Sequence, residues 1–386
     1  MYVSREKTGG KARAGAARKR TALAMVVFAC AAACMLTGCL QSHPVSSASE
    51  SAASSSPSAE SASSAVTDTS ASSAASSQSI SAAPTGDPAL AALLESDMQA
   101  IVEASGVPVG AAVVDLPTAT RADYQGNLSL PAASMIKLLI AHAFLEGSKT
   151  DPAMPGLDDV YTLQSSDIVG GTGTLGGLGA GAQVTYRELV SRMIDVSDNT
   201  AANVLIDAVG GMEAVNADAR KLGLVGTELN RYMMDTDALA RGIDNYTSAS
   251  DCAKLLEMIY KGSFVDLASS QLMLQALEQQ QDEGGISAGL GSNVLFAHKT
   301  GSLSNARHDG GIVEGEHPYV IVVLCGGDGF YLDGANAAMR NIASAVDESL
   351  ANAGAAGPAG AAGPAGAAGS AGAAGSDEAA AAEGAA

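Results

Sequence analysis

The feature that most constrains the fold is the position of the strand patterns, which lie only at the two ends of residues 87–353. After a helical pattern in 87–105, "VPVGAAVVDL" and the segment around Tyr124 indicate strands. Strand patterns return only in "NVLFAHKTG", "HDGGIVEG" and "PYVIVVLCGG", before a helical pattern from about 334. Residues 131–282 are helical by pattern. This order predicts an α+β fold, an α/β sandwich. Strands from both ends form one antiparallel sheet flanked by helices, and an inserted all-helical lobe leaves a cleft beside the sheet.

The first segment, residues 1–38, has a basic start and the apolar run "TALAMVVFACAAACML", which is short for a membrane span. This pattern predicts a secretory signal. The following "TGC" with the preceding leucine is similar to the lipobox of bacterial lipoproteins. That resemblance implies cleavage before Cys39, a lipid on Cys39 and an extracytoplasmic, membrane-anchored protein. An uncleaved anchor and plain secretion stay open as alternatives.

Two further segments lack the composition of a folded domain. Residues 39–86 are mostly Ser and Ala and cannot bury enough apolar surface to offset chain entropy, so we expect a disordered tether. Residues 354–386 form a Gly/Ala-rich tail in which glycine recurs at every third position as far as Gly375. A collagen triple helix has this period, but the run is short and poor in proline, which favours a flexible spacer.

The formal charge of −20 argues against nucleic acid as a partner and against an electrostatic hold on anionic lipid. Cys252 and Cys325 lie on a predicted helix and at the end of a predicted strand, and we expect two buried thiols there rather than a disulfide. No pattern of metal ligands is present in the sequence. We therefore expect no metal and no cofactor, and nothing in the sequence requires more than a monomer.

The first chemical motif is S-x-x-K, formed by Ser134 and Lys137 within "PAASMIKLLIAHAFLEG". Residues three apart share one face of a helix, and Pro131 suits a helix start. A serine hydroxyl needs a base to become a nucleophile, and a lysine desolvated by apolar neighbours can be that base. The alternative for this motif alone is a lysine whose stem is buried while its charge reaches water.

The other two motifs are S-D-N, residues 197–199, and K-T-G, residues 299–301. Ser197 and Asp198 precede a helical pattern, where both residue types are ordinary N-caps. Lys299, Thr300 and Gly301 follow a strand pattern, and a glycine there lets another backbone approach the sheet edge closely. Taken alone, these motifs indicate a helix cap and a hairpin.

Together, in this order, the three motifs resemble the set found in class A β-lactamases and penicillin-binding proteins. The resemblance extends over essentially all of 87–353, including "GTGTLGGLGAGAQVTYRELVSRMIDVSDNTAANVLI". It implies a β-lactamase/transpeptidase-like fold and a class A-like serine hydrolase. The implied substrate is a small molecule, either a β-lactam or a peptidoglycan-like peptide ending in D-Ala.

The resemblance also implies a role for each motif residue. Ser134 attacks the carbonyl, with Lys137 taking its proton, and Ser197 passes a proton to the leaving nitrogen. Asn199 holds Lys137 and the substrate amide, while Asp198 supports the loop. The remaining implied roles belong to the strand: Lys299 and Thr300 bind the substrate carboxylate, Gly301 permits its approach, and the backbone N–H groups of Ser134 and Ser302 form the oxyanion hole.

The sequence departs from the family pattern at the residue that activates water for hydrolysis of the acyl-enzyme. β-Lactam-hydrolysing members carry a glutamate two residues beyond an arginine; here Arg231 matches the arginine, and Met233 occupies the glutamate position. A thioether cannot take a proton from water, and Glu228 and Asp235 are displaced along the chain. Three alternatives follow: a β-lactamase with slow or different deacylation, a D,D-peptidase-like penicillin-binding enzyme, and a non-catalytic lipoprotein that binds β-lactams or cell-wall fragments.

Overall fold

The structure is a computed structural model that describes residues 86–356. The predicted signal (1–38), Cys39, nearly all of the tether (39–86) and the tail beyond residue 356 lie outside the described residues. The strands are β1 (Val109–Asp115), β2 (Thr120–Tyr124), β3 (Leu130–Pro131), β4 (Val160–Thr162), β5 (Gln183–Thr185), β6 (Tyr246–Thr247), β7 (Leu295–Leu303), β8 (Ala306–Glu314) and β9 (Tyr319–Gly326). The α-helices are α1 (Pro88–Ser105), α2 (Lys137–Thr150), α3 (Tyr186–Asp195), α4 (Asn199–Val209), α5 (Met212–Leu222), α6 (Thr236–Ala240), α7 (Ala249–Tyr260), α8 (Leu267–Leu277) and α9 (Leu332–Ala356).

The main sheet has five antiparallel strands in the order β2-β1-β9-β8-β7. The N-terminal strand β1 therefore pairs with the C-terminal strand β9, which confirms that the two ends of the sequence build one sheet. Every residue of β1 and of β9 is buried, because both faces of these inner strands are covered. Strand β7 is the sheet edge that faces the inserted segment, and it carries the third motif.

Two apolar layers cover the two faces of the sheet. On one face α1 packs against α9, and side chains such as Leu94, Met98 and Met339 meet those of Val109 and Val323. On the other face the larger core joins the sheet to α2, α3, α4, α7 and α8. Cys252 lies in the second layer and Cys325 in the first, so the prediction of two buried free thiols is confirmed.

The α+β class is confirmed, and the inserted segment differs from the prediction in its detail. It is not wholly helical: β3 pairs with β6, and β4 pairs with β5, as short two-stranded ribbons. Strands of two or three residues are too short to give a period-two pattern in the sequence. Helix α9 runs three residues past 353, as its alanine-rich end allows.

Candidate active site

Ser134 lies in a 3₁₀-helix, Ala133–Ile136, between β3 and α2. The expectation that the helix begins at Pro131 is wrong, because Pro131 ends β3 and α2 begins only at Lys137. In a 3₁₀-helix residues three apart lie one above the other, so the S-x-x-K spacing still places both residues on one side. Ala133 has a φ of 46°, a conformation that costs a non-glycine residue about 1–3 kcal/mol and is common where a side chain is held for function.

Lys137 is fully buried at the start of α2, yet its ammonium group is well supplied with acceptors. Its Nζ donates to the Ser197 carbonyl at 2.7 Å, to Ser197 Oγ at 3.0 Å and to Asn199 Oδ1 at 2.8 Å. The first and second motifs, about sixty residues apart in sequence, are therefore joined by one amine. These contacts explain how a lysine can be buried in an apolar helix, because a buried charge is tolerated when it is hydrogen-bonded.

The second motif forms the junction between α3 and α4. Ser197 has a φ of 55° and lies partly exposed at the cleft. Asp198 caps α4 by accepting from Ala201 N at 3.0 Å, and its other oxygen accepts from Thr174 N and Leu175 N at 2.6 and 2.8 Å. Asp198 thus holds the glycine-rich loop against α4, as predicted, while Asn199 begins the helix.

The third motif lies on the edge strand β7, facing the 3₁₀-helix of Ser134. Gly301 allows this approach: a Cβ at that position would lie 3.1 Å from Ala133 Cβ and 3.2 Å from Ser134 N. Thr300, Gly301 and Ser302 line the cleft, while Lys299 is fully buried behind them, with its Nζ donating to the Thr300 carbonyl at 2.9 Å.

Burial shifts both lysines toward the neutral amine. Desolvation lowers the pKa of Lys137 well below its usual value, the Lys299 cation lowers it further, and Asp198 opposes the shift. Desolvation also lowers the pKa of Lys299 to about 7, against the opposing effect of Asp309 and Asp282. A lysine that loses its proton readily can act as a base, which is a property of catalytic lysines.

The cleft has a volume of about 450 Å³ and is lined by residues from all three motifs. Its lining residues include Ser134, Ser197, Asn199, Thr300, Gly301, Ser302, Gly171, Thr172, Met233, Met234, Asp235, Leu239 and Asp282. The structure thus brings together every predicted motif residue, with Lys137 and Lys299 buried behind the wall. Within residues 86–356, no cluster of His, Cys, Asp and Glu side chains could hold a metal ion.

Met233 is buried in the cleft wall, two residues after Arg231 in the segment that joins α5 to α6. Its backbone is fixed by reciprocal hydrogen bonds with Asn203 of α4, at 2.8 Å from Met233 N and 3.1 Å to Met233 O. Arg231 forms a buried ion pair with Asp244 at 2.8 Å. The backbone of Met233 is therefore held at the cleft wall.

Three carboxylates near Met233 in the sequence or in the cleft have other positions or partners. Glu228 is exposed and pairs with Tyr246 outside the cleft. Asp235 lines the cleft, but its carboxylate caps α6 by accepting from Ala238 N at 2.8 Å. Asp282 also lines the cleft, and it forms an ion pair with Arg307 at 2.8 Å.

The sequence patterns did not predict several residues that support the site. Asn245 accepts from Arg231 N through its side chain at 2.9 Å and from Ala132 N through its carbonyl at 2.7 Å, which ties the Met233 loop to the segment before Ser134. Arg307 donates to Ser302 Oγ at 3.1 Å. Single polar residues far apart in the chain carry no spacing pattern, so only the folded chain reveals them.

Comparison with known proteins agrees with this geometry. A model of the beta-lactamase enzyme family matches residues 93–350. The chain belongs to the beta-lactamase enzyme family. It is 29% identical to beta-lactamase L2 of Stenotrophomonas maltophilia over 241 residues, which cover 61% of this chain and 78% of that protein.

Solved structures extend the comparison to penicillin-binding proteins. PBP-A is 25% identical, with a TM-score of 0.62 over 70% of this chain and 99% of PBP-A. A mutant of PBP-A, solved as an acyl-enzyme complex with penicillin G, has a TM-score of 0.61 at 25% identity over 68% of this chain and 97% of the mutant. This member of the beta-lactamase enzyme family is therefore a class A-like serine hydrolase with the β-lactamase/transpeptidase fold.

The pKa of Lys299 gives a pH-dependent prediction. If the protonated amine attracts a ligand carboxylate, the affinity for that ligand is highest below the pKa of Lys299, which is about 7. The affinity falls above this pH because the amine loses its proton. We expect the Kd of an anionic ligand to rise about tenfold for each pH unit above that pKa. Calorimetry on Ser134→Ala, which prevents acylation, measures this affinity.

Lys299→Arg in the same background is the control, because a guanidinium keeps its charge across this range. Its affinity for the ligand should not fall between pH 7 and 9, whatever its absolute value. Flat affinity in the protein that retains Lys299 would contradict the assigned charge change.

Proposed function

We propose that this protein is a serine acyl-transfer enzyme that is acylated on Ser134 by β-lactams or by related peptides ending in D-Ala. The observation that carries the proposal is the buried Lys137 amine, which contacts both Ser197 and Asn199. A base with a lowered pKa lies three residues after the proposed nucleophile, and the Ser197 hydroxyl that contacts this base lines the cleft. This is the arrangement that nucleophilic catalysis by serine requires.

In the acylation step, Ser134 Oγ attacks the amide carbonyl and gives up its proton toward Lys137. The N–H groups of Ser134 and Ser302 receive the developing oxyanion, one from the 3₁₀-helix and one from β7. Ser197, bonded to Lys137 Nζ, then returns a proton to the leaving nitrogen as the C–N bond breaks. Thr300 holds the substrate carboxylate at the strand edge, Lys299 attracts that carboxylate by its charge from behind the edge, and Asn199 contacts the substrate amide.

Deacylation differs from that of family members with a glutamate on this loop. Met233 lines the cleft and has no group that could accept a proton from water. The carboxylates of Asp235 and Asp282 already have partners in a helix cap and an ion pair. We therefore infer slow hydrolysis of a β-lactam acyl-enzyme. Met233 favours the second candidate, a D,D-peptidase-like penicillin-binding enzyme that passes its acyl group to water or an amine without that glutamate.

We further propose that the enzyme works outside the cytoplasm, anchored to the bacterial membrane by a lipid on Cys39. The lipobox-like "LTGC" after a basic and apolar leader supports this proposal, and residues 39–86 would serve as the tether. No helix within the described part of the chain is long and apolar enough to cross a membrane.

Incubation with penicillin G and a chromogenic cephalosporin, followed by intact mass measurement, tests acylation. We expect a covalent adduct equal to one β-lactam per chain, with cephalosporin turnover that is slow relative to adduct formation. Ser134→Ala should form no adduct. An unmodified wild-type chain that still folds would contradict the proposal and would favour a binding protein without catalysis.

Met233→Glu tests the assignment of the deacylation position. The new carboxylate can activate water near the ester, so we expect the decay of the adduct to accelerate at least tenfold, within the range general-base catalysis supplies. The matched control is Met234→Glu, which adds the same charge at the neighbouring, more exposed position of the cleft. Equal decay rates in the wild type and Met233→Glu would argue against the placement of Met233 beside the ester.

A further inference from the structure

His308 is a buried titratable residue that the acylation steps leave unused. It lies on β8, where it pairs with Gly301 of β7 on one side and Leu324 of β9 on the other. Its side chain has no exposed surface. Both ring nitrogens are engaged: Nε2 lies 2.7 Å from the Pro131 carbonyl oxygen, and Nδ1 accepts from Cys325 N at 3.2 Å.

The two contacts fix the protonation of the ring. Because the Cys325 N–H points at Nδ1, we assign Nδ1 as an acceptor and place the single proton of the neutral imidazole on Nε2. The Pro131 carbonyl accepts that proton in a hydrogen bond. Burial agrees with a neutral ring: desolvation, with a smaller contribution from the Arg307 charge, lowers the pKa of His308 to about 4 against the opposing effect of the Pro131 and Arg307 carbonyls.

The Pro131 contact links the sheet to the segment that carries the nucleophile. Pro131 lies three residues before Ser134, at the end of β3. The proposed oxyanion hole takes one N–H from this segment and one from β7, so its width depends on the distance between them. A Cβ on Gly301 would lie 3.2 Å from Ser134 N and 3.3 Å from His308 Cδ2, which shows how closely the three residues pack.

We propose that His308 is a positioning residue that sets the width of the oxyanion hole by holding the Pro131 carbonyl against the sheet. It touches neither substrate nor Ser134 and acts through the backbone between Pro131 and Ser134. Misplacing a reacting group by about 1 Å can cost about a hundredfold in rate. This inference rests on the proposed acylation of Ser134, because the oxyanion hole is a part of that proposal.

Two variants separate the contacts of His308. His308→Gln keeps an amide nitrogen near the position of Nε2, so it can still donate to the Pro131 carbonyl. His308→Asn keeps an acceptor near Nδ1 for the Cys325 N–H, but its shorter side chain leaves Pro131 free. We expect the acylation rate constant at saturating penicillin to fall about tenfold or more in His308→Asn and to stay within about threefold in His308→Gln.

The matched control is His142, a second buried histidine. Its Nδ1 lies 2.6 Å from Asp218 Oδ2, and it lies on α2 in the helical lobe. His142→Asn and His142→Gln should lower the melting temperature without changing acylation per folded chain. If His308→Asn and His308→Gln acylate at equal rates, or if only the Kd for the substrate changes, the positioning role is wrong.

A fluorophosphonate separates this inference from the proposed function. In that reaction Ser134 Oγ bonds to phosphorus, fluoride leaves and Lys137 takes the proton, so the same hole is used without β-lactam recognition. Reaction with the fluorophosphonate but not with penicillin would overturn the β-lactam proposal, and the two His308 variants would still decide the positioning role. No reaction with either reagent would overturn both.

The unmutated protein provides a second measurement that does not depend on variant folding. Nitrogen NMR of the histidine rings should show His308 as the neutral tautomer with its proton on Nε2. A proton on Nδ1 would remove the donor to Pro131 and contradict the inference.

Discussion

The site depends on the hydrogen bonding of one buried amine. Lys137 lies in an apolar helix without exposed surface, where an unpaired ammonium would be costly. The Ser197 carbonyl, Ser197 Oγ and Asn199 Oδ1 surround its Nζ and make the burial tolerable. The same contacts bind the start of α2 to the junction of α3 and α4. These bonds make the burial of the amine tolerable, whereas desolvation and the Lys299 cation lower its pKa and favour its role as a base.

The sheet supplies the other half of the site through close backbone packing. Strand β7 packs closely against the segment of Ser134. A Cβ at position 301 would lie only 3.1–3.3 Å from its nearest neighbouring atoms, so this position suits glycine. The lysine beside it, Lys299, is buried and has a pKa lowered to about 7. The two lysines thus share a cleft wall but suit different tasks: Lys137 contacts the motif hydroxyl of Ser197, and Lys299 lies behind the strand edge.

Much of this arrangement could be predicted because it depends on local pattern and on order along the chain. Strand patterns at both ends predicted one antiparallel sheet built from both ends of the chain, and the three motifs predicted which residues would meet. The 3₁₀-helix at Ser134 could not be predicted, since Pro131 fits a helix start as well as it fits the end of β3. His308 and Asn245 act through single long-range contacts, which leave no periodicity or spacing in the sequence.

Burial makes Lys137 available as a base because desolvation lowers the pKa of its amine. The most direct test is an NMR titration of the lysine Nζ groups in Lys-labelled protein, with Lys137→Arg used to assign the resonance. We expect Lys137 to titrate well below the ordinary pKa of 10.5. A pKa for Lys137 at or above that value would contradict it, because the amine would then remain an ammonium at neutral pH and could not take the proton of Ser134.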